Sequence, residues 1–147
     1  MSETAAPAEL LQVAARLRLA VTRLNRRLRA EGEFGLTPSA MAALASVSRH
    51  GPLSLGELAA IEGVKPPTIT ATVAALEAEG LVARALDSRD RRISRLTVTE
   101  AGRRRLEQSR QRKTAYLAAR LEALDEDQLQ ELDRALASVE LLLEEQP

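Results

Sequence analysis

Leu81-Val-Ala-Arg-Ala-Leu86 and Ile93-Ser-Arg-Leu-Thr-Val98 flank the charged turn Asp87-Ser-Arg-Asp-Arg-Arg92. Both flanking runs are predicted β-strands, so the turn is the tip of a hairpin. Arginines crowded at such a tip repel one another and contribute nothing to folding. They are useful where the tip reaches a polyanion, because guanidinium groups match phosphate oxygens and fit a narrow, electronegative minor groove.

A helix-turn-helix pattern precedes this hairpin. Ser54 caps a short helix, and Glu57 completes a capping box three residues later. That helix ends near Gly63, and Pro66-Pro67 opens a second helix that runs to Gly80. Two helices of this size joined by a short glycine-containing turn form a helix-turn-helix. Together with the basic hairpin, the pattern predicts a winged-helix DNA-binding unit.

Further helices flank the unit on both sides. Apolar residues recur in steps of three and four from Glu9 to Arg29, and Thr37-Pro38 starts a helix that stops at Gly51-Pro52. After the hairpin, Thr99 caps a helix in whose first turn Gly102 is expected to be a weak point, and Asp125-Glu-Asp127 begins the last helix. The predicted fold is mainly α: a winged helix-turn-helix with a two-stranded β-hairpin wing and long terminal helices.

The terminal helices carry apolar stripes longer than a small helix-turn-helix core can cover. Such stripes usually pack on a partner chain, so a homodimer is predicted. The alternative is that the stripes fold back on their own core. We divide the chain into a flexible N-terminal tail, residues 1–8, and a single domain, residues 9–146. Within that domain the dimerisation helices are residues 9–35 and 100–146, and the DNA-binding lobe is residues 37–99.

Composition narrows the class of protein. The 147 residues contain no cysteine, which excludes disulfides and thiolate metal ligands. The chain has no long apolar run and no signal-peptide pattern, so a cytoplasmic protein with no membrane partner is expected. Net charge is zero, but residues 81–120 hold twelve basic and four acidic side chains, and residues 121–147 hold one and nine. The basic segment provides the electrostatic footprint that DNA binding requires.

The second helix of the helix-turn-helix has few base-reading side chains. Its outward face carries Pro67, Thr68, Thr70 and Ala71, and lacks the Arg, Asn, Gln or Lys that make bidentate base contacts. The threonines can hydrogen-bond to bases or phosphates, Ala71 could touch a thymine methyl group, and Lys65 can reach phosphate. Specificity is therefore expected to depend on the wing and on DNA shape.

In the wing, Arg92 is expected to enter the minor groove, oriented by an ion pair with Asp90. Arg89 and Arg91 would then lie along phosphates. The alternative is a solvated hairpin in which Asp87 and Asp90 neutralise the arginines.

No residues point to an enzyme. His50 is the only histidine, and no His, Cys and carboxylate cluster has metal-ligand spacing. A glycine-rich phosphate loop is also absent. Catalytic residues, a metal and a cofactor are therefore not expected. The run Arg103-Arg104-Arg105 could support the wing, contact phosphate or lie on a solvated face.

Two stretches resemble the MarR family of regulators. Lys65-Pro-Pro-Thr-Ile-Thr-Ala-Thr-Val-Ala-Ala-Leu-Glu-Ala-Glu-Gly-Leu-Val82 is similar to the family's recognition helix. The turn from Asp87 to Arg92, followed by Leu96-Thr-Val-Thr-Glu-Ala-Gly102, is similar to its Asp-x-Arg-Asp-x-Arg wing and the junction after it. The resemblance covers residues 8 to 145. It implies a homodimeric transcription regulator, usually a repressor, whose terminal helices form the dimer interface.

The resemblance also implies partners and residue roles. Such a regulator binds a pseudo-palindromic operator, and a small aromatic or phenolic ligand loosens its grip on DNA. Arg92 matches the arginine that enters the minor groove, and Asp90 the aspartate that positions it. Thr68, Thr70 and Ala71 match positions that face the major groove, although relatives often have a basic or polar residue at position 71. The absence of cysteine sets aside the peroxide-sensing branch, and no ligand-binding residues are predicted.

Two other functions remain open from the residues themselves. One is an architectural DNA binder of low specificity, which the sparse recognition helix would suit. The other is a winged-helix module for protein assembly, whose arginine tip would meet an acidic protein surface.

Overall fold

The chain is mainly helical, with one β-hairpin. The computed structural model describes residues 7–144. The elements are α1 (Pro7–Gly32), α2 (Pro38–His50), α3 (Leu55–Glu62), α4 (Pro66–Ala78), β1 (Val82–Leu86), β2 (Ser94–Val98), α5 (Glu100–Leu121) and α6 (Glu126–Leu141). The predicted order of four helices, a hairpin and two helices is confirmed. The predicted tail, residues 1–8, lies outside the described residues except for Pro7 and Ala8, which begin α1.

The chain divides into two compact units, one ending at Lys113 and the other beginning at Thr114. The first unit contains α1 to α4, the hairpin and most of α5, and its core lies between α2, α3, α4 and the strands. The core is aliphatic, as the scarcity of aromatic residues requires. Its largest fully buried side chains are Leu44, Val47, Leu58, Ile69, Val73, Leu76, Leu81 and Leu96. None of the helices among residues 7–144 is long and apolar enough to cross a membrane.

Local capping signals set several helix starts. Thr37 accepts a hydrogen bond at its side chain from the Ala40 amide at 3.2 Å, and Pro38 occupies the first helical position of α2. At α3, the Ser54 amide donates to Glu57 Oε2 at 2.7 Å and the Glu57 amide donates to Ser54 Oγ at 3.2 Å. This is the predicted capping box, and Asp125 forms a second one at α6.

The hairpin is antiparallel, with Val82 opposite Val98 and Leu86 opposite Ser94. Each strand starts one residue later than predicted. A further bridge pairs Leu53 with Leu96, whose amides and carbonyls exchange hydrogen bonds of 3.1 and 2.7 Å. The residue two positions before α3 is therefore bonded to β2. This bridge fixes the base of the hairpin to the helix-turn-helix, and no sequence pattern predicted it.

Gly102 closes the junction between β2 and α5. The Thr99 hydroxyl donates to the Gly80 carbonyl at 2.6 Å and accepts from the Gly102 amide at 3.1 Å. A Cβ atom on Gly102 would overlap the carbonyl oxygen of Leu81, which is backbone and cannot rotate away. The expectation that Gly102 is merely a weak point in the helix is therefore wrong, since the close approach of two backbones requires a glycine there.

Gly102→Ala is expected to destabilise the protein by about 1–3 kcal/mol, the range for forcing a methyl group into a filled site. Urea unfolding measures this loss. Gly56→Ala is the matched control, because Gly56 is exposed in α3 and a Cβ there would meet only Ser54 Oγ at 4.0 Å. This control should gain up to about 1 kcal/mol from helix propensity. Equal stability of Gly102→Ala and the wild type would contradict the packing argument.

Candidate DNA-binding site

The second helix of the helix-turn-helix, α4, presents the predicted face to solvent. Ile69, Val73 and Leu76 are buried and fix the rotation of the helix about its axis. The predicted contact positions are all exposed, and Lys65 is the N-cap residue of the helix. These positions are Lys65, Pro67, Thr68, Thr70 and Ala71.

The Thr70 hydroxyl has a hydrogen-bond partner within the helix. It donates to the Pro66 carbonyl at 2.9 Å, so its lone pairs are left for an incoming donor. The donors that DNA exposes in the major groove are the amino groups of adenine and cytosine. Thr70 in this rotamer can therefore accept from a base, but it cannot also donate to phosphate.

At the wing tip, defined as residues 87–92, Arg92 and Asp90 form a bidentate ion pair. Arg92 Nε lies 3.0 Å from Asp90 Oδ1, and Nη2 lies 3.0 Å from Oδ2. The Arg92 amide also donates to Asp90 Oδ1 at 3.0 Å. The hydrogen bonds from the Arg92 side chain lower the pKa of Asp90. The Arg92 side chain remains 90% exposed, so this aspartate orients the guanidinium group without covering it.

The other acidic residue of the tip has a different role. Asp87 Oδ1 accepts the amides of Arg89 and Asp90 at 2.7 and 3.1 Å, and Oδ2 accepts Arg95 Nε at 2.8 Å. The hydrogen bond from Arg95 is the largest cause that lowers the pKa of Asp87 to about 2. Asp87 therefore shapes the loop and does not neutralise its arginines. Arg89 and Arg91 are exposed, and neither has an ion-pair partner among residues 7–144.

Two ion pairs that no sequence pattern indicated hold the base of the wing. Arg95 on β2 places Nη1 2.6 Å from Glu57 Oε2 on α3. Arg84 on β1 forms a bidentate pair with Glu77 on α4, with distances of 2.9 and 3.0 Å. Their partners lie 38 and 7 residues away in sequence, outside any local spacing rule.

The three consecutive arginines near the start of α5 make different contacts. Arg103 and Arg104 pair with Glu100 at 3.2 and 3.8 Å. Arg105 instead donates from Nη1 to the Phe34 carbonyl at 3.2 Å and pairs through Nη2 with Glu79 at 3.3 Å. Arg105 therefore ties the end of α4 to the loop before α2.

A cavity of about 380 Å³ lies in the first unit, lined by α1, α2, α4, α5 and the last residue of α3. Met41, Ala45 and Ile69 contribute apolar surface, and the charged residues of the lining are Arg29, Lys113, Glu33 and Glu62. Sequence reasoning identified none of these as ligand residues. Among residues 7–144 no group of His, Cys, Asp or Glu side chains could hold a metal ion.

An exposed second helix of a helix-turn-helix, followed by a basic hairpin whose base is fixed to that motif, defines a winged-helix DNA-binding protein. The model of the MarR family matches residues 36–94, from just before α2 to the first residue of β2. The chain belongs to the MarR family of transcriptional regulators. Members of that family are DNA-binding proteins without enzymatic activity, which confirms the prediction of a regulator that is not an enzyme.

Curated relatives support this membership along most of the chain. An HTH-type transcriptional regulator of Mycobacterium bovis is 32% identical over 92% of this chain and 96% of its own length. The HTH-type transcriptional repressor MdtR of Bacillus subtilis is 34% identical over 65% of this chain, and the match spans 61% of MdtR.

Solved structures share the fold. A putative transcriptional regulator from Pseudomonas aeruginosa is 31% identical with a TM-score of 0.80, covering 94% of this chain and 98% of its own. A mutant of MepR from S. aureus, solved bound to an oligodeoxyribonucleotide, has a TM-score of 0.72 at 17% identity. The match covers 90% of this chain and 98% of the MepR chain. The second likeness is one of fold alone.

Proposed function

We propose that this chain is a homodimeric repressor that binds a pseudo-palindromic operator and releases it when a small ligand binds. The observation that carries the proposal is the wing tip, where Asp90 presents an exposed Arg92 beside two guanidinium groups that lack partners among residues 7–144. Three cations held on one loop, beside an exposed helix, match a phosphate-lined groove. The repressor role is supported by MdtR, the B. subtilis repressor that this chain resembles. We place the protein in the cytoplasm, with the DNA that it regulates.

The proposed contacts divide between the two grooves. Arg92 enters the minor groove, Asp90 holds it in position, and Arg89 and Arg91 contact the flanking phosphates. An arginine suits a narrow minor groove because the electrostatic potential there is strongly negative. DNA shape at the wing therefore contributes a large share of specificity.

The recognition helix contributes the major-groove contacts. Lys65 at its N-cap reaches phosphate, and Pro67, Thr68, Thr70 and Ala71 face the bases. Of the four residues that face the bases, only the two threonines can hydrogen-bond to a base through a side chain, and Thr70 acts as an acceptor. Base readout by α4 is consequently weaker than in a regulator with an arginine or a glutamine at these positions.

The homodimer is supported by apolar surface in both units. On α1 the exposed residues include Leu10, Val13 and Leu24, and on α6 they include Leu132 and Leu136. Apolar stripes of this kind usually pack on a partner chain. We therefore assign residues 9–35 and 100–146 to dimerisation and residues 37–99 to DNA binding. Two-fold symmetry would place the two α4 helices in successive major grooves, about 34–36 Å apart.

We assign the ligand to the cavity of the first unit. Its apolar wall suits an aromatic or phenolic compound. Arg29 and Lys113 can pair with a carboxylate or phenolate, and the lining residues Glu33 and Glu62 can accept from a phenol hydroxyl. Thr68 and Thr72 of α4 also line it. A ligand bound there can change which orientation of α4 is most populated. If the ligand favours an orientation that does not fit the operator, the protein releases DNA.

The test is a fluorescence-anisotropy titration of the protein against the DNA upstream of its own gene. We expect preference for a palindrome over a version with one half-site scrambled, and a steep fall in affinity with salt. Benzoate and phenol, added as probes of the ligand class, should release the preformed complex. Equal affinity for both DNAs would support the architectural binder, and absence of DNA binding would support the protein-assembly module; either result overturns the proposal.

A further inference from the structure

Arg95 joins two carboxylates that belong to different parts of the lobe. Its Nε donates to Asp87 Oδ2 at 2.8 Å, and its Nη1 donates to Glu57 Oε2 at 2.6 Å. Asp87 begins the wing tip, whereas Glu57 lies in the first turn of α3. The side chains of Arg95 and Asp87 are only 29% and 17% exposed, so the contact between them is partly shielded from water, whereas the Glu57 side chain is 52% exposed.

Each carboxylate is also fixed by the backbone. Asp87 Oδ1 holds the amides of Arg89 and Asp90, which are the residues that lead to Arg92. Glu57 Oε2 holds the Ser54 amide as part of the α3 capping box. A continuous chain of hydrogen bonds therefore runs from the start of α3, through the guanidinium group of Arg95, to the backbone of the wing tip.

The charge of Arg95 is already balanced within the lobe. Two carboxylates share its guanidinium group, and hydrogen bonds lower the pKa of both, that of Glu57 chiefly through the Ser54 amide. Arg89 and Arg91, by contrast, have no such partners among residues 7–144. Although Arg95 lies in the basic segment, it is not available as a phosphate contact.

We infer that Arg95 is a positioning residue for operator recognition, which holds the wing tip at a fixed distance from α3 and, through the core that α3 shares with α4, from α4. Arg92 then reaches the minor groove only on DNA in which the distance between that groove and the major groove that holds α4 equals the distance between the wing tip and α4. Because α4 has few base-reading side chains, discrimination between operator and other DNA depends on this fixed distance. The inference rests on the proposed DNA-binding function and adds to it a residue that touches no DNA.

The test compares Arg95→Met with Arg91→Met on operator and scrambled DNA at several salt concentrations. Arg95→Met should lower operator affinity about tenfold, equivalent to ~1.4 kcal/mol, and should leave scrambled-DNA affinity and the salt slope unchanged. Arg91→Met should weaken binding to both DNAs and reduce the salt slope by about 0.9 for each phosphate that the arginine neutralises in the wild type. The salt slope therefore separates a positioning residue from a phosphate contact.

A double-mutant cycle that combines Arg95→Met with Glu57→Gln tests the inference with a second, independent variant. Glutamine can still close the capping box but lacks the charge that pairs with Arg95. Glu57→Gln should lower operator preference, and the double variant should be no worse than Arg95→Met alone. Wild-type discrimination in Arg95→Met, a reduced salt slope in that variant, or additive effects in the cycle would each overturn the inference. Failure of the wild type to prefer the operator would instead reject the proposed function.

Discussion

Arg92→Ala is expected to lower operator affinity by about 100-fold, because it removes from each of the two wings of a dimer a groove contact worth about 1–3 kcal/mol. The guanidinium group is 90% exposed, so its removal leaves no cavity in the core. Anisotropy at one fixed salt concentration measures the decrease. Arg49→Ala is the matched control, since Arg49 is an exposed arginine at the end of α2, outside the proposed DNA contacts and the dimerisation helices. The control should bind as the wild type does.

Asp90→Ala separates orientation from charge at the same position. It removes both side-chain hydrogen bonds to Arg92 and the acceptor of the Arg92 amide, but it keeps the arginine. We expect a smaller decrease in operator affinity than in Arg92→Ala. If Arg92→Ala bound the operator as tightly as the wild type, the assignment of the wing tip to the minor groove would be rejected.

The parts of the fold that were predicted depend on neighbours in sequence. Ser54 and Glu57 stand three residues apart, and their mutual hydrogen bonds need only the geometry of one helical turn. The Asp90–Arg92 pair is equally local, because the residues are two apart in a tight loop. Such features follow from the residues, since few arrangements of the intervening backbone compete with them.

The parts that were missed depend on residues brought together by packing. Arg95 meets Glu57 only because β2 bonds to Leu53, just ahead of α3. The need for glycine at position 102 arises from the carbonyl of Leu81, which approaches only when the hairpin and α5 are in place. Helix propensity alone ranks that glycine as unfavourable, because propensity describes the stability of an isolated helix and not its contacts with the rest of the fold.

The arginines show the same limit for charge. Arg103, Arg104 and Arg105 are adjacent and chemically identical. Of the three, Arg105 is the one whose side chain contacts residues outside α5, namely Phe34 and Glu79. Counting charges by segment shows that residues 81–120 are rich in basic side chains. It could not separate cations used inside the lobe from those free for DNA, because that division depends on which carboxylates lie within about 4 Å.

The assignment of α6 to the dimer interface makes the second large prediction. Leu136 lies in the apolar stripe of α6 and is 49% exposed. A buried carboxylate without a partner is strongly unfavourable, and two-fold symmetry would place one from each copy in the same interface. Leu136→Glu should therefore shift the protein from the dimer to a monomer of about 16.0 kDa, as measured by light scattering after size exclusion. Because Leu136 is half-exposed in the single chain, circular dichroism should show unchanged helix content.

Dissociation of the dimer should also reduce operator affinity by more than about 100-fold, since a monomer binds one half-site without the effective concentration that the second lobe provides. Ile61→Glu is the matched control, because Ile61 is 47% exposed on α3 within the DNA-binding lobe. It introduces the same charge at a similarly exposed aliphatic position and should leave the dimer intact. A dimeric Leu136→Glu protein with wild-type operator affinity would show that the two lobes are joined through another surface. The spacing of half-sites would then follow from that surface and not from α6.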